Sequence, residues 1–205
     1  MVSELTALTH GQPTKWVIPG LLIALPLLIL FALANGAVPL TIGQIVAALL
    51  PGGEPANNQA AVIIGQIRLP RVLLAAIIGA VLACSGAAMQ GLFRNPLADP
   101  SLIGVTAGAS LGASIMIVAS GGLIAGYTGL TLVSCGAFIG GLLSVLLVYR
   151  LATSSSGTSV ATMLLAGIAI TALAGSLGNL LEFYADNEML RRISLWRMGG
   201  LDGAD

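Results

Sequence analysis

Charge is what this chain has least of. Of 205 residues, eight are Lys or Arg and eight are Asp or Glu, 8% in all. Soluble domains carry roughly 25%. Sixteen charges cannot cover the surface of a water-soluble domain of this size, so a soluble globular protein is excluded. Net charge is zero and there is no basic stripe to neutralise phosphates, which excludes a nucleic-acid binder. Histidine is nearly missing as well: the single one, His10, lies in the polar N-terminal tail. No apolar segment can therefore supply a haem-ligating histidine or a histidine proton relay. Two cysteines, Cys84 and Cys135, do not make a disulfide framework or a metal cluster. Each sits in an apolar run, where a free thiol acts as a small hydrophobe. Proline ends at Pro100.

What is there is apolar. Hydrophobic residues make up 57% of the chain and mean hydropathy is +1.00, which excludes a disordered chain. The expected fold is an all-α integral membrane protein, a polytopic helical bundle. A helix needs about 20 apolar residues to cross the bilayer core. The few charges mark out the spans. Trp16 to Ala34 and Val72 to Phe93 each suit one helix. Pro100 to Tyr149 is fifty residues without a charge. That length suits two helices, with a break between Ser120 and Tyr127. Ser159 to Leu181 is the last. The sequence thus predicts about five spans, approximately 16–34, 72–93, 101–119, 127–149 and 159–181. Barrel strands are excluded because these segments are apolar all round, without alternation. The first span is longer than the core of a signal peptide and its tail is barely basic, so it reads as a retained helix. Residues 35–66 form a loop with short amphipathic pieces, broken by Pro39, Pro51 and Pro55, with a short interfacial helix over Thr41 to Leu50.

Small residues recur at helical spacing. Gly104, Gly108 and Gly112 form two overlapping GxxxG steps, and Gly136 with Gly140 another. Gly167, Thr171 and Gly175 line one face of the last span, and Gly79 with Ala83 does so in the second. In lipid, helices associate by close packing of such residues, so the pattern predicts a tightly packed bundle and by itself no chemistry. The heptapeptide Arg94-Asn95-Pro96-Leu97-Ala98-Asp99-Pro100 predicts a tight helical hairpin. Pro96 ends one helix, Asp99 is a good N-cap and Pro100 a good first helical residue, while Arg94 is expected in the last turn of span two.

Orientation is contested within the chain. Five spans put Lys15, Arg94 and Arg150 on one side and Arg68, Arg71, Arg191, Arg192 and Arg197 on the other. Positive-inside counting favours an external N-terminus by a small margin.

Several motifs form one ordered series. They are Gln66-Ile67-Arg68-Leu69-Pro70-Arg71, Ser85-Gly86-Ala87-Ala88-Met89-Gln90, the hairpin Arg94 to Pro100, and Gly104-Val105-Thr106-Ala107-Gly108-Ala109. Leu164-Leu165-Ala166-Gly167 and Trp196-Arg197-Met198-Gly199-Gly200 follow. From about residue 40 onward the chain closely resembles the FecCD family, the permeases of type II ATP-binding-cassette importers for ferric siderophores, haem and cobalamin. The resemblance implies an α-helical permease of about ten spans, of which residues 1–205 are the N-terminal part of one permease domain. It implies a homodimer in the bacterial inner membrane, two cytoplasmic ATPase subunits and a periplasmic or lipoprotein binding protein. It also implies a cytoplasmic N-terminus, against the charge count. No cofactor is expected on this chain, with ATP and Mg on the partner ATPase.

Site residues carry over by motif. Arg68 and Arg71 match the pair that faces glutamates of the binding protein. Ser159, Val160, Ala161 and Thr162 fall at the cytoplasmic gate, where small hydroxyl residues of the cobalamin permease are replaced by Val160 and Ala161. Ser176 and Asn179 are candidates for the translocation path. The resemblance points to a haem or ferric siderophore importer working by alternating access, with a cobalamin importer as the alternative. An ion-coupled secondary transporter usually holds ionisable groups at mid-membrane, and an intramembrane enzyme needs a catalytic constellation. No predicted span contains His, Asp or Lys.

Overall fold

The structure is a computed structural model that describes residues 14–49, 58–120, 127–155, 157–201 and 203. The tail with Glu4 and His10, the loop with Pro51 and Pro55, the expected break at 121–126 and the last acidic residues lie outside them. The described residues are essentially all helical and fall into two compact units, residues 1–79 with 201–205 and residues 80–200.

The first unit begins with α1 (Thr14–Ala34), an uninterrupted apolar helix that holds Pro19 and Pro26. Nearly all of its side chains are exposed, Trp16, Leu22 and Phe31 among them, so its surface suits hydrocarbon. The helix stops at Asn35-Gly36, where the Asn35 side chain donates to Phe31 O at 2.9 Å. Next comes α2 (Ile42–Leu49), close to the expected interfacial helix. It opens on a capping box: Thr41 N donates to Gln44 Oε1 at 2.9 Å and Gln44 N to Thr41 Oγ1 at 3.4 Å. Then α3 (Asn58–Val62) runs into a π-helical turn (Ile63–Arg68) and on into α4 (Leu69–Phe93). The core here is Leu33, Ile45 and Ile64, each almost wholly buried, with Leu69 and Val72 against it.

The second unit takes the C-terminal half of α4 and turns sharply. Arg94 is not in the last helical turn as expected. It stands one residue past it with φ 47°, in left-handed backbone that lets Asn95 N reach Gln90 O at 3.2 Å. Asp99 caps as expected, accepting from Ser101 N at 2.7 Å, with Pro100 in the first helical position. The helix it starts is a 3-10 turn (Pro100–Ile103). Gly104 (φ 74°) ends that turn in a conformation an L side chain rarely adopts, and α5 (Val105–Ala119) begins only there.

Three helices follow. α6 (Tyr127–Ala152) carries Arg150 in its last turn. A two-residue hairpin, β1 (Thr153–Ser154) with β2 (Gly157–Thr158), leads to α7 (Val160–Tyr184), and α8 (Asn187–Met198) closes the unit. A second core joins Val148, Ala152 and Met163 to Phe93 and Ile103.

Among the described residues four helical stretches are long and apolar enough to cross a membrane: Lys15–Ala34, Gln59–Phe93, Gly129–Ala152 and Val160–Tyr184. The expected third span is shorter. α5 has 15 residues, about 22 Å at 1.5 Å per residue, less than the roughly 30 Å hydrocarbon core. It packs on both α6 and α7.

The α5–α6 crossing is backbone against backbone. A Cβ on Gly112 would strike Gly136 O, and one on Gly140 would strike Gly108 O. Gly108 sits against Ser144 Oγ, and Gly136 against Met116 Cγ. Ser114 and Ser144 are buried in this region. Gly167 of α7 closes on Leu102 O and lies 2.9 Å, at its would-be Cβ, from Ile103 Cα, while Gly104 faces Gly167 O at 3.3 Å. Gly175 differs: nothing lies within 4 Å of a Cβ there, so in this chain it lines open space.

Candidate functional site

Three places in the described residues combine polar groups with a defined geometry. The first is the end of α1. A helix leaves its last carbonyls without intrahelical partners. The π turn, whose wider winding re-aims the side chains that follow, ends on Arg68. From there the guanidinium donates to Leu33 O at 2.6 Å, to Ala34 O at 3.3 Å and to Val38 O. Its positive charge also sits at the negative end of the α1 dipole. Gly36 lies beneath it: a Cβ there would come within 2.6 Å of Nη2 and 2.8 Å of Cζ. Of the expected docking pair, Arg68 is therefore turned onto main chain of its own unit. Arg71, three residues on, is half-buried.

The second place is α7. Its buried residues, Met163, Gly167, Ala174 and Gly178, fall on one face. Ser176 and Asn179, three residues apart, share the opposite, exposed face. Ser176 Oγ donates to Ala172 O at 2.9 Å, the usual way a serine hydroxyl is satisfied in an apolar helix. At the start of the helix Ser159 is the N-cap: it accepts from Thr162 N at 3.3 Å and from Thr162 Oγ1 at 3.0 Å. Both hydroxyls of the expected gate region are thus engaged locally, and Val160 and Ala161 stand exposed between them.

The third place was not among the expected sites. Arg197, on α8, forms an ion pair with Glu182 of α7 (Nη1 to Oε1, 2.5 Å) and donates from Nε to Ser110 Oγ of α5 at 3.1 Å. Gly178 leaves room for it, with Nη2 3.5 Å from where a Cβ would be. One side chain thus ties three helices together. The signals were present, since Arg197 sits in the Trp-Arg-Met-Gly-Gly motif and Glu182 is the acidic residue ending α7. Elsewhere on α8, Glu188 lies beside Arg191 and Arg192 at 3.3 and 3.1 Å. The Arg192 hydrogen bond, then the Arg191 charge, holds its carboxyl below the usual carboxylate range.

Among the described residues no group of three His, Cys, Asp or Glu side chains could hold a metal ion, and Cys84 and Cys135 are free and exposed. What the arrangement offers is a closely packed bundle, one helix with a polar stripe on its open face, and a charged rim.

Comparison with known proteins gives the setting. Residues 22–205 match the model of the FecCD transport family. The chain is 46% identical over 142 residues to the hemin transport system permease protein HmuU of Yersinia pestis, covering 68% of this chain and 41% of that protein. It is 42% identical over 158 residues to the cobalamin import system permease protein BtuC of Halobacterium salinarum, covering 77% of this chain and 40% of that one. Among solved structures, a metal-chelate type ABC transporter in an inward-facing conformation superposes with a TM-score of 0.74 at 28% identity, over 93% of this chain and 55% of that one. The chain therefore spans about half the length of the relatives it matches.

Proposed function

Because the chain belongs to the FecCD transport family, we propose that it forms the N-terminal part of the permease of an ATP-driven importer for an iron chelate, haem or a ferric siderophore. In this reading two permeases pair in the inner membrane with their N-termini in the cytoplasm. Two ATPase subunits holding ATP and Mg act below, and a binding protein delivers cargo from outside. The observation that carries the reading is the ordered series from Arg68 to Gly200, embedded in a match over residues 22–205. The open face of α7 fits a path for a bulky chelate. Its small and mildly polar side chains, Ala172, Ser176 and Asn179, offer weak contacts and no strong ligand that would trap the cargo. ATP-driven closure and binding-protein docking would shift the dimer between outward-open and inward-open forms.

A cobalamin importer is the second reading, favoured by the 42% identity to the halobacterial permease. The test is uptake into proteoliposomes holding the permease at its natural length with its ATPase and binding protein. Haem, a ferric siderophore and cobalamin are offered in turn. Accumulation of one iron chelate that stops when the ATPase is inactivated supports the proposal. Uptake that persists without ATP hydrolysis sinks it, and uptake of cobalamin alone selects the second reading.

A further inference from the structure

α5 and α7 are held in two different ways along their length. Near the hairpin they meet main chain to main chain. Ile103 Cα lies 2.9 Å from where a Cβ of Gly167 would stand, and Gly104 faces Gly167 O at 3.3 Å. Gly178 stands three turns farther along α7, about 16 Å at 1.5 Å per residue, and offers the same room for close approach. It is buried, yet no main chain of another helix takes that room. Among the described residues, what comes within 4 Å of its would-be Cβ is Nη2 of Arg197, at 3.5 Å. The space a glycine opens is filled here by a guanidinium.

That side chain comes from α8, which lies against α5. Its seat is set locally. Asp186 caps α8, accepting from Met189 N at 2.8 Å, and Ile193, one turn before Arg197 on the same face, is only 2% exposed. From this anchored helix the guanidinium reaches Glu182 of α7 (Nη1 to Oε1, 2.5 Å) and Ser110 of α5 (Nε to Oγ, 3.1 Å). Its planar fork fixes the separation of those two groups, which a single ammonium does not.

We propose that Arg197 is a positioning residue, a spacer that holds the C-terminal part of α7 off α5 at a set distance. The two helices touch at Gly167 and are bridged by a side chain at Gly178, so one residue fixes the splay between them. Ser176 and Asn179 lie on the opposite face of the same stretch of α7, and the spacer thereby sets how far they project from the bundle. The consequence for transport rests on the path given to that face by the proposed function, and the spacing itself does not.

The test uses the permease at its natural length, in nanodiscs and without partners. Its native cysteines, the exposed Cys84 and Cys135 among them, are first replaced by alanine. Spin labels are then placed at exposed positions in two pairs. Ala119→Cys with Leu180→Cys reads the α5–α7 distance at the spacer end, and Thr106→Cys with Leu165→Cys reads it at the Gly167 end. Arg197→Ala is expected to shorten the first distance by about 2 Å, the spread of ordinary interaxial separations, as α7 settles into the room at Gly178. The second distance should not change. An unchanged first distance, or an equal shift at both ends, overturns the spacer. If that variant does not fold, Arg197→Met, which keeps bulk and loses the fork, decides: a broadened first distribution supports the spacer and an unaltered one overturns it. Uptake is then measured in proteoliposomes with the ATPase and with binding protein loaded in turn with haem, a ferric siderophore or cobalamin. Per reconstituted permease, Arg197→Ala should lower the maximal rate several-fold at an unchanged half-saturating concentration of binding protein, with Arg197→Lys between it and the parent. A normal maximal rate in a variant whose first distance has shifted overturns the link to transport. No uptake by the parent overturns the proposed function, and the spacer is then decided by the distances alone.

Discussion

The α5–α6 crossing and the exit of α1 are held by opposite means. At the crossing, close approach comes from missing side chains: Gly108 and Gly112 of α5 meet Gly136 and Gly140 of α6 at main-chain distance. Contact is spread over two turns of each helix, and the neighbours are backbone atoms that cannot rotate away. At the α1 exit, one long side chain provides the links, and its neighbour is a flexible tip. The first is dispersion and shape, suited to a membrane, where apolar burial gives no drive. The second is a charge-assisted hydrogen-bond cluster at an edge. A spread backbone contact should fail steeply when a single atom is added. A concentrated polar clamp should fail when a single side chain is altered, and more gently.

The largest effect tests the steep case. Gly112→Leu should cost more than about 3 kcal/mol, beyond the usual penalty of overpacking, because the carbonyl of Gly136 has nowhere to go. Unfolding in mixed micelles would show it, and a small change would mean the two helices can part freely. Gly36→Ala should come next, at about 1–2 kcal/mol, the net worth of hydrogen bonds made by a charged group once the guanidinium is pushed off. Thermal unfolding of the same preparation sets the two losses side by side.

Arg197 lies between these extremes, a polar link inside the glycine-packed unit. Arg197→Ala removes the ion pair to Glu182 and the bond to Ser110. The side chains are 39% and 28% exposed, so screening limits the expected loss to about 1 kcal/mol. Thermal unfolding of Glu182→Gln should show a similar loss, and the double variant should lose little more than either alone. Full additivity would show that the two groups do not act as a pair. Gly175→Ala is the control for the packing argument. With no atom within 4 Å of the new Cβ, it should stay within about 0.5 kcal/mol of the parent for the isolated chain. A clear loss confined to the assembled dimer would place a partner helix on that face.

Legibility in the sequence follows the same divide. The crossing could be read in advance, because a contact made by glycines is written in the spacing Gly108, Gly112, Gly136 and Gly140. Gly175 has the same spacing from Thr171 and no neighbour, since periodicity names a face and not what lies opposite. The Asp99 cap was legible because side chain and target are two residues apart. The start of α5 was misjudged by four residues: Gly104 interrupts the helix that Pro100 begins, and a glycine in an apolar run does not announce a positive φ. The role of Arg68 was hidden for a physical reason. Its partners are carbonyls thirty or more residues back, and a carbonyl has no letter of its own in the sequence. The motif named the residue, and only the fold showed which way it turns. The Arg197 link was missed because its partners, Glu182 and Ser110, are 15 and 87 residues away on other helices.

The smallest effect concerns the hairpin between α4 and α5, where one carboxylate holds the turn. The Ser101 side chain, then its backbone N–H, hydrogen-bonds Asp99 and keeps its carboxyl below its ordinary value of 3.8. Because the folded value is the lower one, the ionised form is favoured by folding. The contribution is complete above the ordinary value and disappears as pH falls through the folded one. Stability should therefore be flat in this respect from neutral pH to about pH 5 and should decline only below about pH 4. Glu188 on α8, also held low, titrates in the same window, so the parent curve alone does not isolate the hairpin. The difference between parent and Asp99→Asn does. Asparagine is as good an N-cap as aspartate but does not titrate. The variant should fall slightly short of the parent above pH 5, and the gap should close as pH falls below the ordinary carboxylate value. Equal stability of the two at every pH would show that the Asp99 charge adds nothing to the cap.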